Sequence, residues 1–530
     1  MPDGRHTGEG GMIEFNVREI TRAMEAQSAS AAAAAALHVP AQEEKRTLGP
    51  LAAAVAVQKF APALSHVVLA GFVRAADFLV IAGLGLLVYA IYVIPLDGFE
   101  WHYVTTILAV ATTAVLAFQW ADIYDVAAFR SRVAQLSRIG LTWTIVFLFV
   151  LAVAFFAKYQ GMYSRVWVST WYGGTMLLLF AGRTFLSSLV RHWTREGRLI
   201  RRTVIVGGAK AGESLIDALR AQKDSDLSIC GIFDDRNDDR SPPQVAGVPK
   251  LGTVDELVEF ARRTRIDLLL VSIPITAEER VLQMVKKLWV LPIDLRLAAH
   301  MSRLRFRPRA YSYIGNVPTL DVYDKPLTDW NYVLKWLFDR VVGWLLLLAA
   351  APLMAFVAIA IKLDSKGPVF FRQKRYGFNN ELIEVFKFRS MYVDKADANA
   401  AKLVTKDDPR VTRIGRFIRK TSLDELPQLI NVAIKGNLSL VGPRPHAVYA
   451  KAQNQLYDEV VDGYFARHRV KPGITGWAQV NGWRGETDTG EKIQRRVEHD
   501  LFYIENWSVL FDLYILARTP FALLKTENAY

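Results

Sequence analysis

Apolar residues gather into long runs in the first third of this chain and thin out to strand-like and helix-like spacings further on. Four runs, Ala75–Ile94, Tyr103–Ala121, Ile139–Ala157 and Val166–Gly182, approach the ~20 residues needed to cross a bilayer, and Asp77 is their only acidic residue. They predict a four-span helical bundle over 66–190. Residues 1–65, with an alanine run at Ala31–Ala36 and no apolar segment behind a basic start, read as a tail without a cleavable signal peptide. The loop after the first run carries Asp97 and Glu100. The loop after the second carries Arg130, Arg132 and Arg138, and the fourth run is followed by Arg183, Arg191, Arg195, Arg198, Arg201 and Arg202. Basic loops stay on the cytoplasmic side, which predicts a cytoplasmic amino terminus and a cytoplasmic remainder. Trp101, Trp167 and Trp171 suit an outer interfacial belt.

A fifth run, Val341–Ile361, has no charge and is long enough to span, but it holds Pro352 and has charges on both flanks: Asp339 and Arg340 before it, Lys362, Asp364 and Lys366 after it. Proline removes an amide and clashes with the carbonyl a turn earlier. The flanks predict a re-entrant helix broken at Pro352 that returns to the face it left; the alternative is a kinked span.

Between 200 and 300 the pattern changes to short β-branched runs alternating with helical stretches. Strands are expected at Thr203–Val206, Ser228–Phe233, Asp267–Ser272 and Ile293–Leu297, with a helix over Ala211–Ala221. This order predicts a Rossmann-like parallel sheet with crossover helices. The turn Gly207-Gly208-Ala209-Lys210-Ala211-Gly212 and the pair Asp234-Asp235 are placed as in a dinucleotide-binding loop. The same glycines also suit tight strand–helix packing, so no cofactor-binding residue is assigned here. Residues 301–334 read as a linker in which Arg303, Arg305, Arg307 and Arg309 alternate, either as a solvated strand or against anionic headgroups.

Composition narrows the reading. The 530 residues exceed one ordinary domain, and 52% hydrophobic beside 22% charged residues fits membrane segments interleaved with polar domains. The net charge of +13 points to nucleic acid, anionic lipid or a phosphorylated substrate. The apolar runs favour the last two, and no nucleic-acid partner is expected. Cys230 is the single cysteine, so neither an intrachain disulfide nor a cysteine metal site can form.

The candidate chemistry lies in residues 335–530. Thr421-Ser422-Leu423-Asp424-Glu425-Leu426-Pro427-Gln428 places two carboxylates side by side where Pro427 disfavours a continuous helix. Taken alone, Ser422-x-x-Glu425 fits a capping box, while a helix start there would also favour a bound phosphate. Cations surround the pair in sequence. Lys387 and Arg389 alternate on a presumptive strand, Arg410, Arg413, Arg416, Arg419 and Lys420 precede it, and Arg444 sits in a proline-flanked turn. Guanidinium forks suit diphosphate oxygens, and Lys387, Arg389, Arg419 and Arg444 are the expected substrate-binding set. The stretch containing Trp507, Leu510, Phe511, Leu513, Tyr514, Leu516 and Phe521 suits either an interfacial helix or one packed on the core.

Several separate blocks carry a resemblance. They are the apolar hairpin into Lys362-Leu363-Asp364-Ser365-Lys366-Gly367-Pro368; Gln373-Lys374-Arg375; Lys387-Phe388-Arg389-Ser390-Met391; the Asp-Glu octapeptide; Leu440-Val441-Gly442-Pro443-Arg444-Pro445; and Lys471-Pro472-Gly473-Ile474-Thr475-Gly476-Trp477-Ala478-Gln479-Val480-Asn481-Gly482. Together they resemble the bacterial sugar transferase family, the monotopic phosphoglycosyl transferases, in its large form. The resemblance implies a membrane α-helical bundle, an α/β Rossmann-like domain and an α+β catalytic domain with a re-entrant membrane helix. It implies transfer of a sugar-1-phosphate from a UDP-sugar to undecaprenyl phosphate, with Asp424 as nucleophile, Glu425 and Asp424 at Mg2+, and the bacterial inner membrane as location. Gly482-Trp483-Arg484-Gly485-Glu486-Thr487-Asp488-Thr489 is similar to members that use UDP-glucose to start exopolysaccharide repeat units. Membrane lipids are expected partners, and a homodimer is left open. One rival is a membrane-bound nucleotide-sugar dehydratase or epimerase, but it needs a catalytic tyrosine and none occurs between Tyr172 and Tyr311. The other is an inactive scaffold, which the intact acidic and basic residues disfavour.

Overall fold

The computed structural model describes residues 48–524 apart from 59–61, 126–128, 130–131, 160, 223–225, 237–241, 274–276, 299–311, 315–316, 394–407, 446–450, 453–454, 457–463 and 484–489. The alanine run, the Arg303–Arg309 alternation and most of the Gly482–Thr489 segment therefore lie outside the described residues.

The described residues begin with α1 (Pro50–Val57), inside the region expected to be a tail. Ala52 is fully buried against the sheet domain beyond the membrane helices, so the apolar octapeptide is part of that core. The four expected runs form α2 (His66–Val88, continued through a π turn at Tyr89–Val93 to Asp97), α3 (Trp101–Trp120), α4 (Arg132–Phe156) and α5 (Arg165–Arg195). Ser65 starts α2 by accepting the Val68 amide at 3.2 Å. Large apolar side chains remain exposed along these helices, Leu79, Phe149 and Leu177 among them, as a lipid solvent requires. Asp77 finds its partner in Arg183 of α5 at 2.5 Å, with both buried. The expected tryptophan belt needs correction. Trp101 is 70% exposed, whereas Trp167 and Trp171 are buried in the bundle and donate their indole N–H to Gly85 and Ile81 carbonyls at 3.0 and 2.8 Å. An indole with a carbonyl within reach can be buried whole.

The middle domain holds β1 (Arg201–Val206), α6 (Ala209–Arg220), β2 (Leu227–Phe233), β3 (Gln244–Val245), β4 (Val248–Gly252), α7 (Val254–Arg263), β5 (Leu268–Val271), α8 (Glu278–Leu288), β6 (Asp294–Ala298), β7 (Ser312–Ile314) and β8 (Val317–Tyr323). They form one sheet in the order β3-β4-β2-β1-β5-β6-β8-β7. Strands β4, β2, β1, β5 and β6 are parallel, as the alternation of strands and helices demands. The segment expected to be a plain linker instead supplies the antiparallel β7–β8 hairpin that extends this sheet beside β6. Pro318 is the second residue of β8 and Pro326 lies beyond its end, positions at which proline does not remove the strand.

The fifth run becomes α9 (Asp329–Asp364), and the expected break at Pro352 is a correction: the helix continues through the proline. Packing on both sides explains it. Leu347 and Ala350 before Pro352, and Met354, Val357 and Ile361 after it, lie against the carboxy-terminal domain. That domain contains the hairpin β9 (Phe370–Tyr376) and β10 (Leu382–Phe388), then α10 (Arg413–Lys420), β11 (Ser439–Val441) paired in parallel with Gly473–Thr475, α11 (Gly490–Glu505) and α12 (Val509–Leu524). Near its start α9 is locked in place. Lys335 donates to Asp512 of α12 at 2.6 Å and to the Val441 carbonyl at 3.0 Å, while Asp339 accepts from the Ser439 hydroxyl and the Leu440 amide. At its other end Asp364 accepts the Ile414 amide at 3.2 Å. Among the described residues, five helices are long and apolar enough to cross a membrane, and α9 is one of them. The protein is thus a multi-pass membrane protein with a sheet-containing α/β domain.

Candidate active site

Three backbone features bring the chemistry together. The β9–β10 hairpin pairs Arg375 with Ile383 and Phe371 with Lys387, so Arg375 and Lys387 project from the same face. After α10 the chain turns at Ser422, which has a left-handed φ of 60°, and enters a 3-10 turn at Leu423–Glu425. Beyond β11, Gly442 lies so close to the Lys471–Gly473 backbone that an added Cβ would stand 2.6 Å from the Lys471 carbonyl oxygen. That close approach holds Pro443 and Arg444 against Gly473.

Arg375, Val385, Lys387, Glu425, Gln428, Arg444, Pro445, Gly473 and Ile474 line a small cavity open to solvent. Glu425 is its electrostatic hub. One carboxylate oxygen accepts from Lys387 Nζ at 2.8 Å and from Arg444 Nη2 at 2.6 Å. Burial alone would raise its pKa, but Arg444 and then Lys387 outweigh that and hold it well below the usual carboxylate range. The carboxylate is therefore ionised and turned to the cations, and the Ser422 side chain makes no capping bond here. A capping box does not form.

Asp424 is half-buried beside this cavity. Burial lifts its pKa to about 6. Lys387 lowers it, the adjacent Glu425 charge raises it, and Arg419 and Arg444 lower it further. The two neighbouring carboxylates thus titrate apart, as one acid beside one fixed anion.

Lys387, Arg444 and, electrostatically, Arg419 lie where the sequence places them. Arg389 does not. It follows the last residue of β10, with its amide still donating to the Val369 carbonyl at 2.9 Å, but its guanidinium is buried against the end of α9. There it donates to the Lys366 carbonyl at 2.6 Å, to the Ser365 carbonyl at 2.7 Å and to the Ser365 hydroxyl at 2.9 Å. Its neighbourhood makes it a clamp between hairpin and helix, not a wall of the cavity.

Arg375 belongs to the site although sequence reasoning did not single it out. Gln373 accepts from its Nε and Nη2 at 3.1 and 2.7 Å, and the Pro445 carbonyl accepts from its Nη1. Burial and then Arg444 lower its pKa to about 10. Hairpin register was the available signal, since two-residue periodicity puts Arg375, Gln373 and Lys387 on one side. Arg467 was invisible to such reasoning. Fully buried and paired with Asp500 at 2.6 Å, it donates to the Arg444 carbonyl at 2.8 Å and so fixes that arginine from behind.

Three cations against one glutamate leave the cavity wall with excess positive charge, which suits a substrate carrying more than one negative charge. No group of three or more His, Cys, Asp or Glu side chains that could cage a metal occurs among the described residues. A hard divalent ion bound here would have the Asp424 and Glu425 carboxylates as its protein ligands and would need to take the rest from substrate phosphates and water.

The fold and cavity define a membrane-seated enzyme class that handles a polyanionic substrate next to paired carboxylates. Residues 330–526 match the family model described as bacterial sugar transferase, and residues 119–299 match one described as a CoA-binding domain. A UDP-glucose:undecaprenyl-phosphate glucose-1-phosphate transferase of Escherichia coli K12 is 38% identical over 73% of this chain and 81% of its own length. A protein of the same name from Xanthomonas campestris is 33% identical over 86% of this chain and 94% of its own. An undecaprenyl-phosphate galactose phosphotransferase of Salmonella typhimurium is 29% identical over 75% and 82%. The chain belongs to the bacterial sugar transferase family.

Proposed function

We propose that this protein is a phosphoglycosyl transferase that moves glucose-1-phosphate from UDP-glucose to undecaprenyl phosphate, and that it starts exopolysaccharide repeat units at the bacterial inner membrane. The observation that carries the reading is the cavity in which Arg375, Lys387 and Arg444 converge on Glu425 with Asp424 alongside. The glucose donor is favoured by the names and higher identities of the E. coli and Xanthomonas relatives.

The arginines and Lys387 bind and orient the diphosphate. An Asp424 carboxylate oxygen attacks the sugar-linked phosphorus, the bond to the bridging oxygen breaks, and UMP leaves with that oxygen. A phosphate oxygen of undecaprenyl phosphate then attacks the same phosphorus and releases the Asp424 carboxylate. Attack on a polyanion by an anion is slow unless cations offset the repulsion, and Lys387, Arg375 and Arg444 supply that offset. Magnesium held by Asp424, Glu425 and the substrate phosphates would add further charge neutralisation.

Seating follows from α9. Its 36 residues would extend roughly 54 Å as a straight helix, far beyond a ~30 Å hydrocarbon core. Both ends contact the same domain, through Lys335–Asp512 and Asp364–Ile414. One side of the helix presents Leu345, Leu348, Phe356, Ile359 and Leu363 to the surroundings. A helix bent at Pro352 without breaking, so that it enters and returns on the cytoplasmic face, accommodates these facts, and the arginine-rich loops favour that face being inside.

The test is UMP release by the purified full chain with magnesium, undecaprenyl phosphate and either UDP-glucose or UDP-galactose. UMP release specific to UDP-glucose supports the donor. Release from neither sugar overturns the transferase reading.

A further inference from the structure

The cations that precede Asp424 in sequence divide into two groups in space. Arg419 is half-buried and its charge acts on Asp424. Arg413, Arg416 and Lys420 are exposed on the outer face of α10, and Phe417, 59% exposed, stands among them. The spacing 413, 416, 417, 420 is one face of a helix.

The opposite face leaves no freedom of placement. Ile418 is buried among Met354, Val357 and Ile361 of α9. Gly415 presses against the hairpin exit, where an added Cβ would stand 2.0 Å from the Ser390 carbonyl oxygen. The Ile414 amide donates to Asp364, next to Leu363, which is 84% exposed. Exposed Lys362 and Lys366 flank that end of α9. Helix α10 is therefore fixed within one hydrogen bond of the last turn of the apolar helix and cannot stand far from the plane at which α9 leaves the hydrocarbon. Its own sequence, Arg413-Ile414-Gly415-Arg416-Phe417-Ile418-Arg419-Lys420, contains no acid. The nearby Asp408 is taken by Arg410 at 2.6 Å.

We propose that the outer face of α10 is a docking surface for anionic phospholipid headgroups, with Arg413, Arg416 and Lys420 on lipid phosphates and Phe417 at the acyl boundary. An exposed aromatic ring amid cations matches that layer in both polarity and charge. Asp424 follows Lys420 by four residues, so this contact sets the height of the nucleophile at the level where a lipid-borne phosphate lies. The inference rests on the seating of α9 proposed above.

The experiment uses the full chain with Cys230→Ser, reconstituted in nanodiscs of phosphatidylcholine alone or mixed with phosphatidylglycerol. A nitroxide is attached at Phe417→Cys, at Leu348→Cys on the exposed side of α9, or at Leu282→Cys on the middle domain. Collisions with oxygen report lipid, and collisions with a water-soluble nickel chelate report solvent. The expected result is a label at 417 shielded from nickel several-fold relative to 282, more strongly in the phosphatidylglycerol discs. Arg413→Gln, Arg416→Gln and Lys420→Gln together should remove the lipid dependence, each cation contributing roughly fivefold to partitioning on an anionic surface. A label at 417 as open to nickel as that at 282, with 348 shielded, overturns the proposal and leaves the seating intact. Equal shielding in both lipids overturns the role of anionic headgroups. A label at 348 that is open to nickel overturns the seating, and the docking surface with it.

Discussion

Two acid-bearing turns in this protein look alike in sequence and differ in what they leave undone. In the middle domain, Asp234 accepts the Gly208 amide at 2.8 Å and the Arg236 amide at 3.1 Å, and Asp235 accepts the Val254 amide at 2.8 Å. Ser272 donates to the Gly207 carbonyl at 2.6 Å. An added Cβ at Gly212 would stand 2.7 Å from the Gly207 carbonyl oxygen. Glycines and acids there close on one another, with the Asp234 carboxylate occupied by the loop's own amide where a ribose would otherwise bind. At Asp424-Glu425 the same kinds of residues stay open: one carboxylate holds two cations, the other lies protonatable beside it, and the wall retains excess positive charge. A motif becomes a site when its polar groups have interactions left to make.

Substitutions can break that contrast. Asp424→Ala should reduce UMP formation about 10³-fold or more, since a covalent nucleophile has no substitute. Asp234→Ala should leave the turnover of folded enzyme within about twofold while lowering the melting temperature, because an amide partner is lost. Equal damage to chemistry from both would erase the distinction. Glu425→Gln keeps the shape but leaves Lys387 and Arg444 without their anion, and kcat should fall about 10²-fold; an unchanged kcat would remove Glu425 from the centre. Arg375→Lys keeps the charge and loses the fork, so KM for UDP-glucose should rise about tenfold with kcat little altered.

A pH profile sharpens the comparison within the carboxylate pair. Attack needs the ionised form of Asp424, and its pKa is raised, so kcat/KM should climb as pH rises through about 6 and level off above. Glu425, held low, should add no limb in that range. A profile flat from pH 5 to 8, on the order of that window, would contradict the assignment. The smallest effect on chemistry belongs to Arg389→Lys. Losing bonds to Ser365 and Lys366 should cost stability of about 1–3 kcal/mol, read by denaturation, with KM unchanged.

The fold was largely legible in the chain because its signals are long or periodic. Twenty-residue apolar runs and β-branched runs between helices admit few other arrangements. The errors fall where a single residue's environment decides. Trp167 and Trp171 read as interfacial, but carbonyls of α2 lie within reach and draw them inside. Pro352 read as a break, but side chains on both sides of it are anchored. Arg389 read as a partner of Lys387, but the Ser365 and Lys366 carbonyls lie within reach and hold its guanidinium. At the site, motif blocks located Asp424, Glu425, Lys387 and Arg444. Arg375 stood in a motif block and could have been placed from the hairpin's two-residue periodicity, whereas Arg467 needed the tertiary fold, which no local pattern contains.

One contact bears on how such a chain can be assembled. The Ser65 hydroxyl, just ahead of α2, donates to Asp329, the first residue of α9, at 2.5 Å, and Trp330 lies over Gly71 and Phe72. The polypeptide thus leaves for the bundle and the sheet domain and returns to its point of departure. Residues 66–328 form a loop of chain closed where it opens, and this closure ties the start of α9 to the first turn of the first span.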